Sequence, residues 1–188
     1  MANYRIAVLI GSLRKKSLNR KLAEAIYRLA PSNLEFTESV IADLPLYNQD
    51  DDENQAESVK RLKSEIAGAD GILFVTPEYN HSVPGVLKNA IDHGSRPPAS
   101  TAWPRKLAGI LGISPSPTAT CMSQQHLRNI MAGLSVAVMP QPDAFFQDKD
   151  FFNESGIPID EKRADLCKWL ESYAEWIGHH AAKRKEHP

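Results

Sequence analysis

Apolar residues fall into two spacings along this chain. Short unbroken runs at residues 6–10, 71–75 and 107–113 are separated by longer stretches in which apolar positions recur every three or four residues. A short unbroken run predicts a strand buried on both faces, and the wider spacing predicts an amphipathic helix. Leu18, Leu22, Ala25, Ile26 and Leu29 predict a helix over residues 17–29, with Ser17 as its N-cap and Pro31 closing its far end. Residues 34–40 alternate loosely and read as a weaker edge strand, followed by turns over 42–48. Val59, Leu62 and Ile66 mark a second helix, and Pro84 suits the first turn of a third, carried by Leu87, Ala90 and Ile91.

Gly94, Pro97 and Pro98 stop that third helix. The irregular stretch 95–103 then reads as a loop and a candidate subunit contact through Arg96 and Trp103. A helix over 126–132 and a strand over 135–139 precede a proline-rich, aromatic connection (Pro140, Pro142, Phe145, Phe146, Phe151, Phe152). The last helix carries Leu166, Trp169, Leu170, Tyr173, Trp176 and Ile177 on one stripe, which reads as core. Strands alternating with helices, joined by right-handed crossovers, predict an α/β three-layer sandwich over a single domain, 1–188. With the first loop at the switch point, the expected architecture is flavodoxin-like, a five-stranded parallel sheet of order 2-1-3-4-5.

Composition removes several functions. The 22 Lys and Arg nearly balance the 23 Asp and Glu among 188 residues, so no global field gathers nucleic acid or an anionic membrane. Cys121 and Cys167 match no metal or disulfide spacing. The acidic run from Asp50 to Glu53 reads as solvated charge near a helix start rather than a metal cluster, and no metal ligands are expected. The first apolar run is too short for a secretory segment and is followed, not preceded, by Arg14, Lys15 and Lys16; a cytoplasmic protein is expected.

The chemistry is expected where the three buried strands end. After the first comes Gly11-Ser-Leu-Arg-Lys-Lys-Ser-Leu-Asn19, with neither a dinucleotide-binding glycine fingerprint nor a Walker loop. Ser12, Ser17 and Asn19 are short donors at a helix N-terminus, and Arg14 adds a charge-assisted contact, a combination suited to a terminal phosphate. The bland alternative is a helix cap beside a solvated basic turn. After the second strand, Pro77, Glu78, Tyr79 and Asn80 form a longer excursion, continued to Ser82, that can present backbone N–H groups to a planar heteroaromatic ring. The alternative there is a surface aromatic beside a solvated charge. The third strand ends in Ser114-Pro-Ser116-Pro-Thr118.

GSLRKKSLNRKLA (residues 11–23) followed by TPEYNHSVPGVLKNAID (residues 76–92) resembles the NADPH-dependent FMN reductase family, which includes quinone, azo-compound and chromate reductases. The resemblance implies that Ser12, Arg14, Ser17, Leu18 and Asn19 bind the phosphate of FMN. It implies that Pro77, Glu78, Tyr79 and Asn80, in the loop reaching Ser82, lie against the ring, and that Ser114 or Ser116 touches the ribityl chain or ring edge. It also implies NADPH or NADH as donor, small-molecule acceptors such as quinones or free flavin, ping-pong hydride transfer through the flavin N5, and a homodimer or homotetramer. The chain departs from the family pattern at His93, where tryptophan is common, and in a third loop without the usual glycine pair. His81 and His126 lie near these loops and read as surface or capping residues, so no catalytic side chain is expected.

Two rivals have the same or a related sheet. An FMN-binding electron-transfer protein without broad reductase activity would display a strongly acidic docking face, which this balanced chain with a cationic first loop lacks. A small phosphatase needs a cysteine, five residues, then arginine; Cys121 and Arg128 have six between them.

Overall fold

The computed structural model describes residues 2–186, with side chains through Ala181. Five strands form a parallel sheet of order β2-β1-β3-β4-β5: β1 (Tyr4–Ile10), β2 (Leu34–Glu38), β3 (Gly71–Val75), β4 (Leu107–Ser114) and β5 (Ala137–Val138). Helices α1 (Leu18–Leu29), α2 (Glu57–Gly68), α3 (Gly85–Gly94), α4 (Cys121–Gly133) and α5 (Asp160–Glu186) cover it. The strand order is the one expected from the sequence.

The unbroken runs are strands because alternate residues feed two separate cores. Ile6, Val8 and Ile10 of β1 face one core with α1 and α5, while Ala7 and Leu9 face the other with α2 and α3. Leu73 and Val75 part from Ile72 and Phe74 in the same way. The stripe on α5 enters the first core through Leu166, Trp169, Leu170, Tyr173 and Ile177. Tyr173 is fully buried, donates its hydroxyl to the Ile72 carbonyl at 2.9 Å, and has its phenol pKa pushed far up by that burial.

Two expectations change. Trp103 is not a surface contact: it is fully buried, tilted against Phe74, and its indole N–H donates to the Ile91 carbonyl at 2.9 Å. The strand expected over 135–139 shrinks to two residues, because a further strand, β6 (Phe145–Gln147), takes the outer edge of β4. Its residues pair in parallel with Gly112, Ile113 and Ser114. Pro140 and Pro142 just ahead of it disguise so short a strand. The acidic run forms a 3-10 turn, Gln49–Asn54, just ahead of α2 with Asp50, Asp51 and Glu53 exposed, and no group of metal-ligating side chains occurs among the described residues.

Candidate functional site

The first loop leaves β1 and enters α1 through Ser17, whose extended backbone and hydroxyl cap the helix by accepting the Arg20 N–H at 3.3 Å. The Ser12 hydroxyl accepts the Arg14 N–H at 3.5 Å. Leu18 and Asn19 then carry backbone N–H groups with no acceptor among the described residues, as the first turn of a helix requires. Arg14 is exposed and has no ion-pair partner among them. Free amides, two short hydroxyls and an unpaired guanidinium form a donor set without a competing carboxylate in this turn.

Asn19 departs from the sequence reading. Its side chain is 2 % exposed and wholly engaged: Nδ2 donates to the Ile113 carbonyl at 2.9 Å, and Oδ1 accepts the Ile113 N–H at 3.1 Å. Only its backbone N–H remains for a ligand.

The second loop closes on itself. Tyr79 and Ser82 exchange both backbone hydrogen bonds at 3.1 Å, and Asn80 (φ 50°) and His81 (φ 60°) fill the two turn positions with positive φ. That is the backbone demand of a type I′ turn, which asparagine meets readily and histidine at some cost. Glu78 is not solvated: its side chain is 6 % exposed, its Oε2 accepts the Ser123 N–H in the first turn of α4 at 3.0 Å, and its Oε1 lies 3.4 Å from His81 Nδ1. Tyr79, 43 % exposed, leaves its ring open to solvent.

The two loops and the end of β4 meet in one cleft of about 220 Å³. Ser12, Arg14, Ser17, Leu18, Asn19, Pro77, Glu78, Tyr79 and Ser114 line it, with Ile113 and Pro115 completing the wall. Asn80, Ser82 and Ser116 lie outside this lining. Ser82 Oγ is 3.0 Å from His126 Nδ1, and Ser116 Oγ is 3.0 Å from Thr118 Oγ1. His93 also lies away from the cleft, 5 % exposed, with Nε2 2.9 Å from the Pro45 carbonyl. A larger groove of about 500 Å³ runs between β6 and the start of α5, with Lys149, Lys162, Asp165 and Lys168 among its lining.

The donor set fits a phosphomonoester, and Pro77 and the exposed Tyr79 add apolar surface to the same cleft. Enclosing sites usually measure about 300–1,000 Å³, so a cleft of this size grips part of an elongated ligand and leaves the rest open.

Fold and site together define a mononucleotide-binding α/β protein. Residues 4–150 match the NADPH-dependent FMN reductase family. A 2-hydroxy-1,4-benzoquinone reductase from Burkholderia sp is 42% identical over 175 residues, covering 92% of this chain and 96% of that protein. An NAD(P)H-dependent FMN reductase of Pseudomonas aeruginosa is 35% identical, covering 89% and 91%. Among solved structures, the flavoenzyme NAD(P)H:(acceptor) oxidoreductase FerB of Paracoccus denitrificans superposes with a TM-score of 0.88 at 39% identity, over 94% of this chain and 98% of that one. The chain belongs to the NADPH-dependent FMN reductase family; it is an NAD(P)H-dependent oxidoreductase with FMN as its cofactor. No helix among the described residues is long and apolar enough to cross a membrane.

Proposed function

We propose that this enzyme reduces quinones, and with them free flavin and other flat acceptors, by two-electron transfer from NADPH or NADH. The observation that carries the reading is the convergence of the α1 N-terminus, the 77–82 loop and Ser114 on one cleft. The benzoquinone reductase from Burkholderia, similar over nearly its whole length, supports the substrate class.

The phosphate of FMN is held by the Leu18 and Asn19 amides, the Ser12 and Ser17 hydroxyls and Arg14, at the positive end of the helix. Pro77, Glu78 and Tyr79 flank the ring, Asn80 and Ser82 shape the turn that carries them, and Ser114, with Ser116 behind it, lies toward the ribityl chain. When bound, the flavin supplies the two-electron chemistry that the side chains lack. The chain contributes orientation and an open face on which donor and acceptor stack in turn. Shared use of one face predicts parallel lines in double-reciprocal plots of NADPH against quinone; intersecting lines would reject it. The working unit is a homodimer or homotetramer, checked by light scattering, and acts in the cytoplasm, where its donor is kept reduced.

Purified protein should be yellow, bleach on adding NADPH or NADH, and regain colour with a quinone. A colourless protein that does not quench FMN fluorescence would overturn the reading. Arg14→Ala should weaken FMN binding by about 1–3 kcal/mol, the range for a charge-assisted contact, without shifting the urea midpoint of the apo-protein. Unchanged FMN affinity in a fluorescence titration would remove Arg14 from the phosphate site.

A further inference from the structure

The 77–82 loop is held from behind by a residue that neither lines the cleft nor adjoins the loop in sequence. The Pro77 carbonyl accepts two hydroxyl hydrogen bonds, from Thr76 Oγ1 at 2.8 Å and from Ser123 Oγ at 3.0 Å. The two hydroxyls lie 3.3 Å apart, and both side chains are fully buried. Ser123 grips the loop a second time, its N–H donating to Glu78 Oε2 at 3.0 Å.

This arrangement fixes a peptide plane. The Pro77–Glu78 bond is trans, so its C=O and N–H point in opposite directions. With the carbonyl turned toward α4 and doubly satisfied, the Glu78 N–H is turned away from α4, and it has no acceptor among the described residues. Pro77 and Glu78 both line the cleft. The Tyr79 and Ser82 amides are already spent on each other, and Asn80 and His81 lie outside the lining. One backbone donor of this loop is left for the cleft.

We propose that Ser123 is a positioning residue: with Thr76 it locks the Pro77–Glu78 peptide so that the Glu78 N–H donates to a carbonyl oxygen of the flavin ring. Resting on the flavin placement proposed above, this assigns the loop a redox role. Negative charge builds on the ring carbonyls as the flavin is reduced, so a fixed donor there binds the reduced ring more tightly than the oxidised one. The carboxylate of Glu78 is engaged in holding the loop, through the Ser123 N–H and His81.

The test is the midpoint potential of bound FMN in Ser123→Ala and in the double variant Thr76→Val with Ser123→Ala, which removes both hydroxyls at little change of volume. In the double variant the reduced flavin should lose about tenfold in affinity relative to the oxidised form, a fall of about 30 mV for a two-electron couple. Ser123→Ala alone should give a smaller fall in the same direction, and carries the test if the double variant does not fold. A purely structural role would lower the melting temperature and leave the potential at the wild-type value, overturning the proposal. Arg14→Ala separates this from the placement itself. An unchanged potential alongside weakened FMN binding in Arg14→Ala overturns the peptide lock alone; no effect in either variant overturns the placement as well.

Discussion

Gly112→Ala is expected to lose about 3 kcal/mol or more of folding stability, and the fraction that folds should bind FMN poorly. Overpacking in a core usually costs about 1–3 kcal/mol, because a flexible side chain moves aside. Here the obstacle is backbone. A Cβ on Gly112 would run into the carbonyl oxygen of Thr76, and would also meet Thr120 Oγ1 at 2.9 Å and its Cγ2 at 3.1 Å. Thr76 cannot retreat easily, since its N–H donates to the Leu111 carbonyl at 3.0 Å and its hydroxyl supports Pro77. Displacing Thr76 therefore carries the second loop with it. Gly133→Ala is the matched control: it ends α4 with nothing within 4 Å of an added Cβ, and should be neutral or stabilising by up to about 1 kcal/mol. Urea unfolding of the two apo-proteins decides the matter. A Gly112→Ala midpoint equal to that of the wild type would mean that β4 and the Thr76 carbonyl do not approach as described.

What the sequence made legible was whatever depends on neighbours in the chain. The strands at β1 and β3 announce themselves because burial on both faces leaves no polar position to break the run. Ser17 as a cap follows from its own helix, and the core stripe on α5 from periodicity alone. Trp103 was hidden because prolines and small polar residues surround it; its burial comes from α3, where the absence of a side chain at Gly94 opens room for the indole. β6 was hidden because three residues between turns carry no period, and only β4 selects them as a strand. At the site, the first turn of α1 and the second loop were readable, while the roles of Ser123 and of the Asn19 amide were not. Ser123 lies 46 residues from the carbonyl it holds, and Asn19 lies 94 from Ile113, separations over which local patterns are silent.

Asn19→Ala should cost about 2–5 kcal/mol of stability through a hydrogen-bonding defect in the sheet. Along a strand, the N–H and C=O of one residue point to the same neighbour, and those of the next residue to the other. Gly112 and Ser114 bond toward β6, through the Ala144 carbonyl and the Asp148 N–H, so Ile113 points toward β3. Paired residues of β3 end at Val75, opposite Leu111, and the chain then turns away into the second loop. Ile113 would be left with both groups unpaired inside the protein. The Asn19 amide, one donor and one acceptor in a plane, stands in for the missing peptide, and in doing so pins the start of α1 to the end of β4. Alanine leaves two buried orphans at about 1–3 kcal/mol each, reduced if water enters. Asn19→Asp sharpens the test. Ionised, it would set a carboxylate against the Ile113 carbonyl; protonated, its O–H can donate there. Burial raises the folded pKa of such an aspartate above the unfolded value of about 3.9, so the variant should be closest to wild type at or below that pH and lose stability as pH rises toward 7. Denaturation at pH 4 and pH 7 measures it. A penalty independent of pH would show that this side chain does not face the Ile113 carbonyl, and the joint between the two halves of the cleft would need another explanation.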